Sequence, residues 1–178
     1  MTELCRLGKL YGTDKYPYYT PLYNALLGHR RETVRSVLEI GIGSKGAMGH
    51  VPNYTPGASL RMWQDFFPNA DILGVDNDPS VVGNWGRIRA RLADQSDQAS
   101  ILSASDCIGR FDLVVDDGSH DPEHQERTAI ALMPHMREGG IYIIEDVNTA
   151  LRLPFVHSVV STHTPGSALV GRAVVIFA

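Results

Sequence analysis

Five short apolar runs punctuate the chain, and each stops at a turn or an acid. Ser36–Ile40 runs into Gly41-Ile42-Gly43, and Ile72–Val75 stops at Asp76. Between Arg87 and Leu92, the apolar Ile88, Ala90 and Leu92 alternate with three arginines, and Asp94 follows. Phe111–Val115 stops at Asp116-Asp117, and Ile141–Ile144 at Glu145-Asp146. Apolar runs this short, bounded by turn residues, predict strands covered on both faces, as in a parallel sheet.

Helical spacing fills the intervals. Leu60, Trp63 and Phe67 stand at i, i+3 and i+7, with Ser59 as the expected N-cap and Pro68 as the stop. Asp121 before Pro122 has the form of an N-cap followed by proline at the first helical position. That helix is expected to run to about Arg137 and to end at Gly139-Gly140. A further helix is expected over Pro21–His29. Alternating strands and helices predict an α/β chain, a Rossmann-like doubly wound sheet of mostly parallel strands. Its end differs: Val156–Ser161 and Val170–Phe177 are β-rich runs around Pro165-Gly166 and read as an antiparallel hairpin. The interval from Asp146 to Val156 is too short for a crossover helix.

Composition narrows the function classes. The 178 residues suit one domain, so 1–178 is read as a single unit in which residues 1–30 form an N-terminal helix and lid segment. Sixteen basic and twenty acidic residues give a net charge of −4, without the basic stripe of a nucleic-acid binder. No apolar run approaches the ~18 residues of a membrane span. The first residues lack the apolar stretch of a signal peptide. Cys5 and Cys107 have no metal-type spacing and suit a reducing, cytoplasmic setting.

The chemistry gathers where the strands end, at the edge where open α/β sheets bind ligands. Acids that cap helices account for one per strand. The pairs Asp116-Asp117 and Glu145-Asp146, on strands expected to be neighbours, exceed that need and imply a counter-charge. Gly41-Ile42-Gly43-Ser44-Lys45-Gly46 fits a G-x-G-x-x-G dinucleotide motif literally. A pyrophosphate needs a helix to begin there, and the glycines and prolines up to Gly57 prevent one. An acidic rim instead suits S-adenosylmethionine, a sulfonium without phosphate. Asp76 is placed to accept hydrogen bonds from its ribose diol, and glycines at 41 and 43 admit its methionine part. Residues 44–58, with Tyr16–Tyr19, are expected to form a mobile lid. A nicotinamide-dependent oxidoreductase and an inactive binding protein on the same fold remain the alternatives.

Six segments carry a family resemblance: Tyr11-Gly12-Thr13-Asp14-Lys15, Leu38 to Gly43, Ser59 to Trp63, Asp94 to Asp97, Asp116-Asp117-Gly118-Ser119-His120, and Gly139 to Asp146. In these the chain resembles class I S-adenosylmethionine-dependent methyltransferases, and more narrowly the metal-dependent sugar O-methyltransferases that tailor macrolides such as mycinamicin and tylosin. The resemblance implies Mg²⁺ or Mn²⁺ on Asp117, Glu145 and Asp146, and His120 as general base. It implies a methyl donor bound by Glu39, Gly41, Gly43, Ser59, Asp76, Asp94, Gln95, Ser96 and Asp116. The implied acceptor is a hydroxyl of a sugar or oligosaccharide, on a macrolide or on a polysaccharide such as methylated mannose. A homo-oligomer is compatible with it. Where that family carries a longer helical insertion after Glu-Asp, this chain has only Val147–Phe155.

Overall fold

The computed structural model describes residues 1–163 and 170–178. Strands β1 (Ser36–Ile40), β2 (Asp71–Asp76), β3 (Gly83–Trp85), β4 (Ile88–Leu92), β5 (Phe111–Asp116), β6 (Met136–Ile144), β7 (His157–His163) and β8 (Val170–Phe177) form one sheet. Their order is β3-β4-β2-β1-β5-β6-β8-β7. From β4 to β6 all neighbours are parallel, while β3 and β8 run antiparallel to the strands they join. The chain winds outward from β1 in both directions, so the switch point lies between β1 and β5. Both acid pairs stand beside it, because β5 and β6 are adjacent.

Among the described residues, six α-helices accompany the strands: α1 (Glu3–Tyr11), α2 (Lys15–Tyr18), α3 (Thr20–Leu27), α4 (Ala58–Phe66), α5 (Gln98–Ser105) and α6 (Pro122–Leu132). Strand alternation splits the core into two faces. Val37, Leu113, Val115, Ile141 and Ile143 pack with Leu4, Leu27, Trp63 and Phe67 from α1, α3 and the α4 region. Leu38, Ile40, Val114, Tyr142 and Ile144 pack with Ile101 and Leu132 from α5 and α6. Glu39 alternates to the first face and is completely buried there. That placement recurs in the site below.

Several boundaries differ from the expected ones. The N-cap of α4 is Gly57, at φ 72°, and Ser59 lies buried in the first turn, hydrogen-bonded to Glu39. The helix after Asp121 stops at Leu132, short of Arg137, because Pro134 lacks an N–H and crowds the preceding turn. Gly139 and Gly140 therefore lie inside β6. Three elements stand where none was expected. One is α1, capped by Thr2 and closed by Gly12 at φ 67°. The others are the Ser/Ala-rich α5 and the three-residue edge strand β3. The C-terminal strands pair antiparallel as expected, with β8 inserted between β6 and β7. The expected turn at Pro165-Gly166 lies outside the described residues. Among the described residues, no helix is long and apolar enough to cross a membrane.

Candidate active site

At the carboxyl ends of the parallel strands lies a cleft of about 500 Å³. Its glycine floor follows from close backbone approach. Gly41 adopts φ 77°, and a Cβ there would stand 2.1 Å from the carbonyl oxygen of Asp117. Only glycine fits both the dihedral and the space. Gly43, at φ 72°, abuts the hydroxyl of Tyr54, which donates to the Ile42 carbonyl at 3.0 Å. Asp76 secures the same loop. Its Oδ2 accepts from the Ile42 and Gly43 amides at 2.9 and 3.2 Å, and its Oδ1 from the Asp78 amide at 2.9 Å. The chain then passes through turns until α4 begins at Ala58, so no helix follows the glycine loop directly; the Gly57 amide, at the α4 N-cap, returns to bond the Ile42 carbonyl at 3.3 Å.

At the next strand end, Asp94 accepts from the Ser96 amide at 2.8 Å and lines the cleft beside Gln95. Gln95 Nε2 donates to both oxygens of Asp116 at 2.8 Å, and its Oε1 accepts from the Ser119 amide at 2.7 Å. Asp116 is fully buried, and burial pushes its carboxyl up to about 6. Asp116 lies beneath the floor, and Ser96 is exposed and outside the cleft lining. Asp116 acts through Gln95 on the loop that carries Ser119 and His120. The other residues expected at a methyl donor (Glu39, Gly41, Gly43, Ser59, Asp76, Asp94 and Gln95) all line the cleft.

The acidic end is assembled from further apart in the chain. Lys15 is 1% exposed, and its Nζ lies 2.6 Å from Asp117 Oδ2, 2.9 Å from Glu145 Oε1 and 3.3 Å from Glu39 Oε1. Burial alone would lower the ammonium's pKa; the three carboxylates hold it well above its usual value. Burial raises Asp117, and Glu145 raises it further against the pull of Lys15. Glu145 is pushed up to about 7 by burial. The Tyr23 hydroxyl donates to Glu145 Oε1, and Trp63 Nε1 donates to Glu39 Oε2 at 2.6 Å. The Tyr19 hydroxyl donates to Asp146 Oδ1 at 2.6 Å and accepts from the Asp146 amide at 3.1 Å.

His120 and Asp146 both adopt left-handed backbone conformations, at φ 56° and 51°, which non-glycine residues seldom take. These turns bring the His120 ring over the acids. Its Nε2 stands 3.9 Å from Asp117 Oδ1 and 3.9 Å from Asp146 Oδ2, and its Nδ1 is buried without a hydrogen-bond partner. Asp117, His120 and Asp146 each offer a ligand atom within 4.8 Å of the others. Two carboxylate oxygens facing one point fit a hard divalent cation, and His120 Nε2 stands beside that point. Of the expected metal trio, Asp117 and Asp146 thus converge. Glu145 turns its Oε1 inward to Lys15 and Tyr23 and does not line the cleft.

Sequence reasoning left Lys15, Tyr19 and Tyr23 without these roles. Helical spacing links Tyr19 at the α3 N-cap to Tyr23 one turn on, but the extended backbone at Tyr16 separates Lys15 from that helix, so no periodic signal marked it. Tyr19 is 5% exposed and packs in the core beside Tyr23. It therefore supports the site from within the fold rather than covering it as a lid.

No family model matches the chain. Over 153 residues it is 40% identical to the mycinamicin VI 2''-O-methyltransferase of Micromonospora griseorubida, a match covering 83% of this chain and 37% of that protein. Demethylmacrocin O-methyltransferase of Streptomyces fradiae is 40% identical over 152 residues, with the same shares covered. Among solved structures, the methyltransferase MycE in complex with Mg, SAH and mycinamycin VI aligns with a TM-score of 0.70 at 37% identity, over 82% of this chain and 37% of that one. The chain spans little more than a third of the length of the curated relatives it matches. Its sheet has the class I methyltransferase fold of that structure.

Proposed function

We propose that the chain is a divalent-cation-dependent O-methyltransferase that moves a methyl group from S-adenosylmethionine to a hydroxyl of a sugar or oligosaccharide. The observation that carries this reading is the convergence of Asp117, His120 and Asp146 at the end of the cleft that the glycine loop floors. The 36–40% identity to sugar O-methyltransferases supports it. The dinucleotide alternative needs a helix that starts directly at the glycine loop, whereas α4 starts only at Ala58.

When bound, S-adenosylmethionine would supply an activated methyl carbon, and Mg²⁺ or Mn²⁺ on Asp117 and Asp146, with Glu145 behind them, would make the acceptor hydroxyl more acidic. Asp76 and the backbone at Gly41 and Gly43 bind the donor, with Gln95 and Asp94 toward its adenine. The reaction breaks the donor's S–C bond, forms a C–O bond at the acceptor and releases one proton. His120 takes that proton at Nε2, which faces the carboxylate end of the cleft. Met48, His50 and Tyr54 from residues 44–58 line the cleft and exclude water from the reacting atoms. A proton acceptor at this position suits an acceptor that arrives as an alcohol, and a vicinal diol gives the cation two oxygens, as sugars do.

The test is methyl transfer from labelled S-adenosylmethionine to a panel of glycosides, with and without EDTA. Methylated glycoside is expected in the presence of Mg²⁺, and EDTA is expected to abolish it. Full turnover in EDTA would remove the cation from the reading, and transfer to no hydroxyl in the panel would remove the sugar acceptor.

A further inference from the structure

Each of the two converging carboxylates uses its two oxygens differently. Asp117 gives Oδ2 to Lys15 at 2.6 Å and turns Oδ1 toward His120. Asp146 gives Oδ1 to the Tyr19 hydroxyl at 2.6 Å and turns Oδ2 toward His120. The free oxygens both stand 3.9 Å from the same imidazole nitrogen. One oxygen of each acid is thus tied down by the N-terminal segment, and the other is delivered to a shared point. Lys15 and Tyr19 are four residues apart, and the Tyr19 amide bonds to the Lys15 carbonyl at 2.8 Å, so one hydrogen-bonded turn, extended at Tyr16, sets their separation.

These holders are themselves fixed. Lys15 is sealed between Glu39, Asp117 and Glu145. Tyr19 packs on Tyr23 with ring centroids 6.2 Å apart, and Tyr23 meets Trp63 edge-on at 5.2 Å. Trp63 in turn donates to Glu39. The network closes on itself through the core. Asp146 depends most on it: its side chain is 48% exposed and its backbone is left-handed, and Tyr19 bonds both its carboxylate and its amide.

We propose that Lys15 and Tyr19 are the positioning residues of the cation centre, each holding one oxygen of Asp117 or Asp146 so that the other oxygens meet beside His120. The proposal rests on the cation-dependent reading above and adds the residues that aim its ligands. Partners that orient ligating side chains in this way are commonly worth about 10–100-fold in metal affinity. Tyr19→Phe is the sharp variant, because it removes one hydroxyl and keeps the ring in the core. Lys15→Arg keeps the charge but replaces a compact ammonium with a planar fork that cannot reach three acids from one atom.

Mn²⁺ binding to the full chain, without donor or acceptor, is followed by loss of the free-ion electron paramagnetic resonance signal. Tyr19→Phe is expected to weaken Mn²⁺ binding about 10–100-fold, with S-adenosylhomocysteine affinity within twofold of wild type by calorimetry. The Mn²⁺ concentration for half-maximal turnover should rise by the same factor, while turnover at saturating Mn²⁺ stays within threefold. Lys15→Arg should weaken Mn²⁺ in the same direction; if it does not fold, Tyr19→Phe decides alone. Wild-type Mn²⁺ affinity in Tyr19→Phe would overturn the positioning role and leave the cation-dependent reading standing. A wild-type protein that binds no Mn²⁺ would overturn both.

Discussion

The two ends of the cleft are built by different means. At the glycine end, acids bond to backbone amides close by: Asp94 to Ser96, Asp76 to Asp78 and to the loop of the adjacent strand. At the acidic end, side chain meets side chain across long stretches of chain. Lys15 and Asp117 are 102 residues apart, Tyr23 and Glu145 are 122, and Tyr19 and Asp146 are 127. Backbone amides two residues away hold Asp94 and Asp76, so exchanging one of these acids at the glycine end strands no buried charge. The acidic end concentrates charge in the core, where the loss of one partner strands the others. The difference suits the proposed division of labour, in which one end cradles a donor through shape and the other polarises an acceptor through charge.

The largest effect should come from removing the buried cation of the acidic end. Lys15→Met leaves Glu39, Asp117 and Glu145 facing one another without a counter-charge. A loss of about 3–5 kcal/mol of folding stability is expected, read as a shifted urea midpoint at unchanged slope. A loss below about 1 kcal/mol would be an exposed pair's behaviour and would erase the contrast between the two ends.

Next comes His120→Ala. It should lower turnover about 10²–10⁴-fold while S-adenosylhomocysteine affinity stays near wild type. A variant that turns over normally moves the base elsewhere, with His124 next along the cleft wall. Asp76→Ala attacks the other end and should weaken donor binding about tenfold by calorimetry, equivalent to about 1.4 kcal/mol. Unchanged affinity would show that Asp76 serves only the Ile42 and Gly43 amides. The smallest effect concerns residues 44–58, which hold turns but no helix or strand before α4 begins at Ala58. Amide exchange there should slow when S-adenosylhomocysteine binds, and equal exchange in both states would end the idea that this loop closes over the cleft.

Much of this architecture was legible from local pattern. Runs of four to six residues, apolar or alternating, that stop at a turn or an acid marked every strand from β1 to β6 except the short β3. Acids at strand ends and paired acids on neighbouring strands marked the cleft. Such features survive in one dimension because strand alternation, capping and turn chemistry operate within a few residues. Where a local signal had a competitor, it misled. Gly139-Gly140 resembles a helix stop, yet Pro134 ended the helix sooner and left both glycines to pair in β6. Ser59 resembles an N-cap, but the buried Glu39 claims its hydroxyl and Gly57 caps instead.

The sequence by itself determined a doubly wound sheet with a glycine loop and an acidic edge, because those properties belong to short segments. Only the tertiary structure decided which acid oxygens face the cleft. Asp116 and Asp117 are adjacent in sequence, yet strand alternation sends one beneath the floor to Gln95 and the other to Lys15 and His120. Glu145 and Asp146 part in the same way, one toward Tyr23 in the core and one toward the cleft. The partners that separate them come from residues 15–23, brought across more than a hundred positions by the packing of α1, α3 and α4 on the sheet. No local rule encodes that meeting, because the low-dielectric interior that makes it necessary exists only once the core has closed.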